Sequence, residues 1–435
     1  MIGTTGNAAL ERCAQSYRDI EDDFKRQAAS FGLPFAEQPG EPRDEALARL
    51  ARQGVVVSND GKSVHRGWLS PSCEQCRKGL NAATFLLSVQ CPKQCFFCFN
   101  PNQLDYERLL TETNDVVAEL EGLLRNNAKL TDIALTGGEP LAHAPEALAF
   151  FDRARTLCPE AYLRLYTSGS GLDEKVLRRL ERASLDEIRF SVKMEDEPSV
   201  RAQTLERIAR SRSFVPHVVV EMPVMPNDAR AMEKLLRELD RIGIDGANLL
   251  ELCYPLHNAE EFARRGYRIK AEPYRVLYDY WYAGGLPIAG SEEAALRLLE
   301  FSVREKLGIG VHYCSLENKL TGQIYLQNNP YRTAFPTCIM SDRDHFLKTA
   351  RVFGSDIAPV VRMLEEAGVD DYAADDEDAS LAFSPAHIAL LAHSRPDMPV
   401  ALGYCIVESE GSESVRLREL KIDITTPSSF DLNGL

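Results

Sequence analysis

Three cysteines crowd into one short run, Ser88-Val-Gln-Cys-Pro-Lys-Gln-Cys-Phe-Phe-Cys-Phe-Asn100, and the spacing of Cys91, Cys95 and Cys98 strongly constrains what this chain can become. The CxxxCxxC pattern presents three thiolates from one loop and withholds a fourth. A 4Fe-4S cluster held by three cysteines leaves one iron free for a substrate or cofactor, whereas a fourth cysteine closes the cluster and restricts it to handling electrons. Read alone, the triplet also fits a fragment of a zinc site or three small apolar core residues.

A second feature lies downstream, in Ile133-Ala-Leu-Thr-Gly-Gly-Glu-Pro-Leu141. The apolar run reads as a buried strand, and the paired glycines read as a turn at its end. Two glycines let a backbone approach a ligand closely, so exposed peptide groups at a strand end can bind the amino and carboxylate groups of an amino acid. An ordinary strand-to-helix turn has the same look, and the two features gain force from each other.

Together they resemble the radical S-adenosylmethionine (SAM) superfamily. That resemblance implies a cluster held by Cys91, Cys95 and Cys98, with the aromatic Phe97 before the last ligand. It also implies that Gly137, Gly138 and Glu139 line the methionine end of SAM. Alternating strand and helix patterns support a parallel α/β barrel. Strands are expected at 83–89, 132–135, 162–166, 187–192, 217–221 and 247–252, with helices over 115–125, 146–157, 173–182, 200–211 and 229–242. The expected fold class is α/β, a partial (β/α)6 barrel with α+β extensions at both ends, divided as residues 1–70, 71–314 and 315–435.

Strand ends carry the active site in such a fold, because their side chains enter the barrel mouth. Thr167 and Ser168, with Gly169, follow the third strand, where the resemblance implies groups near the SAM ribose. Ser191 and Lys193 end the fourth, and Lys193 suits the SAM carboxylate or a substrate anion, though a solvated lysine is the commoner outcome. Glu251 and Cys253 end the sixth. A cysteine facing the radical can return a hydrogen atom, whereas the plainer reading is a small apolar residue in a sheet.

A further cysteine group frames the barrel: Cys73 and Cys76 in a CxxC knuckle, with Cys314 and Cys338 far along the chain. Four thiolates of this kind suit a second 4Fe-4S cluster, zinc or iron, with His312 as an alternative fourth ligand. The order of these motifs is similar to a little-characterised radical SAM group related to pyruvate formate-lyase activating enzymes. The similarity covers about Pro71 to Asn328 and departs after Cys314, where Leu316-Glu-Asn-Lys replaces a more basic stretch.

With 435 residues, 44% hydrophobic and 26% charged, the chain can bury a large core. No apolar run approaches the roughly twenty residues that span a bilayer, and the N-terminus lacks a signal pattern, so a cytoplasmic protein with no membrane partner is expected. Eleven cysteines without an export signal point to reduced thiols and metal ligands. A net charge of -15 disfavours nucleic acid, whose binding rests on Lys and Arg. In the flanks, a helix is expected over 8–31, another over 44–52, a hairpin over 55–66, an acidic loop over 370–378, and strands over 401–408 and 415–423.

The resemblance implies a flavodoxin or ferredoxin-type electron donor and hydrogen abstraction from a C-H bond. A peptide or protein side chain is the favoured substrate. A glycyl-radical activase, or a mutase or dehydrogenase acting on a small molecule, is the alternative reaction, and an iron-sulfur or zinc scaffold the alternative class. The GGEP turn argues against a scaffold, which needs no SAM site.

Overall fold

The computed structural model describes residues 6–38, 40, 43–76, 78–126, 128–274, 276, 285–410 and 414–435. They form two compact units. The barrel unit runs from Gly32 to Pro273 and resumes up to Lys319; the other unit combines Leu320–Leu435 with the N-terminal helix.

In the barrel unit, parallel pairing joins β3 (Ala82–Leu86), β4 (Asp132–Thr136), β5 (Tyr162–Thr167), β6 (Glu187–Phe190), β7 (His217–Val224) and β8 (Gly246–Glu251) in chain order. These are the six expected strands, each within three residues of its anticipated ends. The alternating helices also form, most closely at Ala229–Ile242, which buries Met232, Leu235, Leu236 and Leu239 on one face. Asp115 and Asp173 cap their helices by accepting from Ala118 N and Val176 N.

A seventh parallel strand extends the expected barrel. Gly310–Cys314 (β11) lies beside β8, in register Gly310 to Gly246 and Cys314 to Leu250. The hairpin of β1 (Val56–Ser58) and β2 (Ser63–Arg66) then adds antiparallel to β11. It therefore belongs to the barrel sheet and not to a separate N-terminal extension. The sheet runs from β1 to β3 as an open arc, and a short pair, β9 (Cys253–Tyr254) with β10 (Leu286–Pro287), stands apart from it.

The N-terminal edge of the barrel is floored by the segment between β2 and β3. Trp68 stacks on His217 at a ring separation of 5.2 Å. Ser70 donates to Glu187 at 2.6 Å, and Ser72 donates to Asp132, so the helix Pro71–Gln75 is tied to the first residues of β6 and β4. Gly310 is required here, because a Cβ at that position would stand 1.9 Å from the Trp68 carbonyl oxygen.

The other unit is a mixed α/β layer. Its antiparallel sheet joins β14 (Tyr372–Asp375), β15 (Ser380–Phe383), β13 (Leu347–Phe353), β16 (Val400–Glu410) and β17 (Ser414–Thr425), with β12 (Cys338–Met340) also on β13. Leu10 and Ala14 of the helix Ala8–Ser30 pack on Phe353, Ala401 and Ile422. The expected divisions at residues 70 and 314 thus differ from the observed units, since the first helix joins the C-terminal sheet. The expected acidic loop differs too: its centre is strand β14, which pairs with β15.

Gly310→Ala is expected to destabilise the barrel by about 1–3 kcal/mol through overpacking against Trp68. Urea unfolding followed by tryptophan fluorescence measures this, and an unchanged midpoint would contradict the close approach of β11 to the floor.

Candidate active site at the strand ends

The cysteine loop and the glycine turn are stitched together by backbone. Beyond β3 and β4 the ladder continues as Leu87 N to Thr136 O (3.0 Å), Gly138 N to Ser88 O (2.8 Å) and Glu139 N to Gln90 O (2.8 Å). Such an approach leaves no room for side chains on the turn. A Cβ at Gly137, whose φ is +158°, would lie 2.4 Å from Ser88 O, and one at Gly138 would lie 2.3 Å from Gln90 O. The N–H groups of Gly138 and Glu139 are already engaged, so this turn is suited to receive an ammonium at its carbonyl oxygens more than a carboxylate.

Glu139 does not line that turn. Its carboxylate is fully buried and accepts from Leu141 N (3.1 Å), Thr167 Oγ1 (2.7 Å), Ser168 N (2.7 Å) and Ser168 Oγ. The Thr167 and Ser168 hydroxyls are correspondingly turned inward to Glu139 and away from the ribose role expected of them. The three residues form one buried joint between the ends of β4 and β5. Ser191 N continues it by donating to Thr167 O at 2.9 Å.

The cysteine loop is pinned from the opposite side. His257 Nε2 lies 2.9 Å from Cys98 O, so this ring nitrogen carries the proton, and Asn258 Nδ2 donates to Phe96 O at 3.2 Å. Lys93 pairs with Asp196 at 2.7 Å, tying the loop to the segment after β6. Phe96 is buried against Phe262 and lies under the Arg265 guanidinium. Phe97 carries the Lys193 ammonium 5.0 Å from its ring centre. Lys193 thus stands beside the cysteines: partial burial raises the Cys91 and Cys95 thiols, and this ammonium draws both back down.

Sequence reading missed Lys93, Asn100, His257 and Asn258, of which Asn100 donates to Gly137 O at 3.4 Å. Their signal was a His-Asn pair soon after the sixth strand, with Asn258 in the left-handed conformation (φ +59°) that asparagine tolerates.

The sixth strand behaves differently from expectation. Asn248 faces the barrel interior, touching His312 and Glu221. Glu251, three residues on, takes the opposite face, accepting from Leu316 N at 2.9 Å and pairing with Lys270 at 3.4 Å. Burial raises its carboxyl, and Glu292 shares the same lysine at 2.5 Å. Glu251 is therefore part of a buried charge cluster outside the barrel, not a group in the mouth. Cys253 is buried in β9, and burial pushes its thiol up to about 12, so it stays protonated at neutral pH.

The remaining cysteines divide between the units. Cys73, Cys76 and Cys314 belong to the barrel unit, whereas Cys338 is buried in the other unit with Met340, Leu347, Cys405 and Val407. Burial pushes the Cys338 thiol up to about 11 and that of Cys314 up to about 12, so burial alone does not separate the two. His312 is no free ligand either, since its ring nitrogens meet Ser63 Oγ at 2.9 Å and Asn248 Oδ1 at 3.2 Å.

Among the described residues no three His, Cys, Asp or Glu groups converge as the ligands of a single ion must. A cubane cluster imposes a different demand, because each thiolate binds a separate iron at its own corner. Cys91 is exposed and Cys95 and Cys98 half-buried on one loop, all as free thiols, which fits a cluster seated against the glycine turn. None of the described helices is long and apolar enough to cross a membrane.

Residues 85–239 match the Radical SAM superfamily profile. The chain is 24% identical over 315 residues to the Putative glycyl-radical enzyme activating enzyme of Methanocaldococcus jannaschii, covering 69% of this chain and 79% of that protein. It is 35% identical over 105 residues to the PqqA peptide cyclase of Gluconobacter oxydans, covering 24% of this chain and 28% of the cyclase. Among solved structures it is similar to SuiB of Streptococcus suis bound to precursor peptide SuiA, at 10% identity and a TM-score of 0.38 over 70% of this chain and 62% of that one. Residues 85–239 thus form a radical SAM domain.

Proposed function

We propose that Cys91, Cys95 and Cys98 hold the 4Fe-4S cluster, that SAM binds beside the Gly137-Gly138 turn, and that the target is a C-H bond of a peptide or protein side chain. Cluster and SAM together supply a 5'-deoxyadenosyl radical on reduction by a flavodoxin or ferredoxin-type donor. The chain's own groups then bind, orient and shield. The glycine carbonyls receive the SAM ammonium, and Lys193 offers a cation for its carboxylate or for a substrate anion. Glu139, with Thr167 and Ser168, positions this wall of the pocket without touching SAM.

The observation that carries the substrate class is the open arc of the sheet, whose ends are the unclosed edges of β1 and β3. A side opening admits an extended chain that a closed barrel mouth excludes. The partial match to a peptide cyclase supports the same reading. A second reading, activation of a glycyl-radical enzyme, is favoured by the longer match to the archaeal protein. In both, hydrogen is taken from a polypeptide carbon; they differ in whether the product radical is kept or discharged.

Cys253, held as a thiol, suits a reaction that is redox-neutral for the substrate, in which it returns a hydrogen atom and its thiyl radical is restored by one electron from the donor protein and one proton from solvent. We favour an oxidative reaction, in which the substrate radical loses an electron to a second cluster and a proton to solvent. Turnover in heavy water separates the two. An oxidised product without solvent deuterium is expected, together with activity in Cys253→Ala; deuterium in the product and an inactive variant would establish hydrogen return instead. A persistent glycyl radical on a partner protein, seen by electron paramagnetic resonance, would establish the activase.

For the cluster, anaerobically reconstituted protein should cleave SAM to 5'-deoxyadenosine, and Cys91→Ala, Cys95→Ala or Cys98→Ala should abolish this. Full cleavage by any of the three would refute the ligand assignment. Glu139→Gln is expected to weaken SAM binding at least tenfold and to destabilise the fold by about 1–3 kcal/mol, since the amide nitrogen cannot accept from the donors that converge on it. Equilibrium dialysis with SAM and chemical denaturation report the two effects. Unaltered binding would mean that the Glu139 joint does not shape the pocket.

A further inference from the structure

A second set of thiols, Cys73, Cys76 and Cys314, lies in the barrel unit outside the cysteine loop. Cys73 projects from the floor helix Pro71–Gln75, and its Sγ receives Arg189 Nη2 at 3.3 Å and Asn248 Nδ2 at 3.5 Å. Asn248 in turn meets the ring of His312. Cys314 stands two residues beyond His312 on β11, hence on the same inner face, and receives Asn318 Nδ2 at 3.3 Å. Cys76 follows Cys73 by three residues as the C-cap of the floor helix, one turn from Cys73 and exposed.

The groups around these sulfurs are donors. Arg189 is fully buried and also pairs with Glu187 and Glu221, so its cation is fixed in place. Two amides and a guanidinium aimed at sulfur are of little use to neutral thiols, which accept weakly, but they suit thiolates. N–H donors to ligand sulfur also raise the reduction potential of an iron-sulfur cluster. Among the described residues no fourth thiol of the barrel unit joins the set: both nitrogens of His312 are occupied, Glu221 is bound to Arg189 and Asn248, and Cys338 lies in the core of the other unit. His65, paired across the sheet with His312 at a ring separation of 6.4 Å, keeps a buried Nδ1 with no hydrogen-bond partner.

We propose that Cys73, Cys76 and Cys314 hold a second 4Fe-4S cluster in the barrel unit, with no thiolate on its fourth iron and His65 as the side chain left to face it. Resting on the radical SAM reading, it assigns the electron acceptor that an oxidative reaction requires. When present, such a cluster would supply the acceptor for one electron from the substrate radical, and the substrate's proton would pass to solvent.

The test begins from the variant lacking Cys91, Cys95 and Cys98, reconstituted anaerobically with iron and sulfide. It should keep about four irons per chain, whereas wild type holds about twice as many. Adding Cys73→Ala or Cys314→Ala should remove those irons, and adding Cys338→Ala should not. Circular dichroism confirms that each variant is folded, and Arg189→Gln, which keeps every thiol, should shift the cluster potential downward. Mild ferricyanide oxidation should release the iron that lacks a thiolate and give the paramagnetic three-iron form.

Retained zinc without iron, no metal in the folded starting variant, or dependence on Cys338 would each overturn the site. A cluster that resists conversion to the three-iron form would overturn the three-thiolate assignment. Failure here is distinguishable from failure of the main reading. Wild type that cleaves SAM with only four irons refutes the second site alone, and a starting variant with four irons beside a wild type that never cleaves SAM refutes the first.

Discussion

Everything at the strand ends depends on the backbone seam between Ser88–Gln90 and Gly137–Glu139. Its hydrogen bonds fuse the cysteine loop to the glycine turn, so the proposed cluster ligands and the proposed seat of the cofactor form one rigid piece. The seam exists only because two residues lack side chains: any Cβ would lie within 2.5 Å of a carbonyl oxygen of the facing loop. Glu139 fastens the same piece to β5 from beneath, which explains why a carboxylate with no solvent exposure is placed there. A buried charge of this kind is tolerable when several donors meet it.

The barrel interior follows the same rule on a larger scale. Arg189 lies between two carboxylates, and in the same lumen Arg164 meets Asp132 at 3.2 Å. Removing one partner from such a set leaves an uncompensated charge and costs several kcal/mol, so these pairs specify the interior's arrangement more than they stabilise it. The Arg189 cation holds the Glu221 carboxyl below the ordinary range against the opposing effect of burial. A polar lumen is unusual for a barrel whose interior could be filled by aliphatic side chains, and it leaves polar donors where sulfur atoms enter.

Much of this was legible in the sequence because apolar runs and helical periodicity are local. The six strands and the helix Ala229–Ile242 follow from such patterns. β11 was not, since Gly310-Val-His-Tyr-Cys314 is short and mixes polar with apolar residues; its partners β8 and β2 are remote in sequence. The triplet and the glycine turn announced themselves by spacing, yet the direction of Glu139 depends on hydroxyls 28 and 29 residues away. Glu251 failed for a simpler reason. Strand side chains alternate, and once Asn248 is known to face inward, a residue three positions on must face outward. Chain separation also says nothing about whether Cys338 and Cys314 share a site, and the two cysteines belong to different units.

The floor between β2 and β3 has a consequence for how the barrel comes together. Ser72 reaches a partner 60 residues away and Ser70 one 117 residues away, while Trp68 meets β11 near the end of the unit. Contacts of such span carry a large loop-closure cost and cannot form before the strands they join. The floor is thus among the last parts to lock, and until then the turn bearing Cys73 and Cys76 is free of its buried partners. During synthesis this would leave an interval in which the thiols are open both to assembly factors and to oxygen. The maturation of the chain would then depend on the timing of closure as much as on its final geometry.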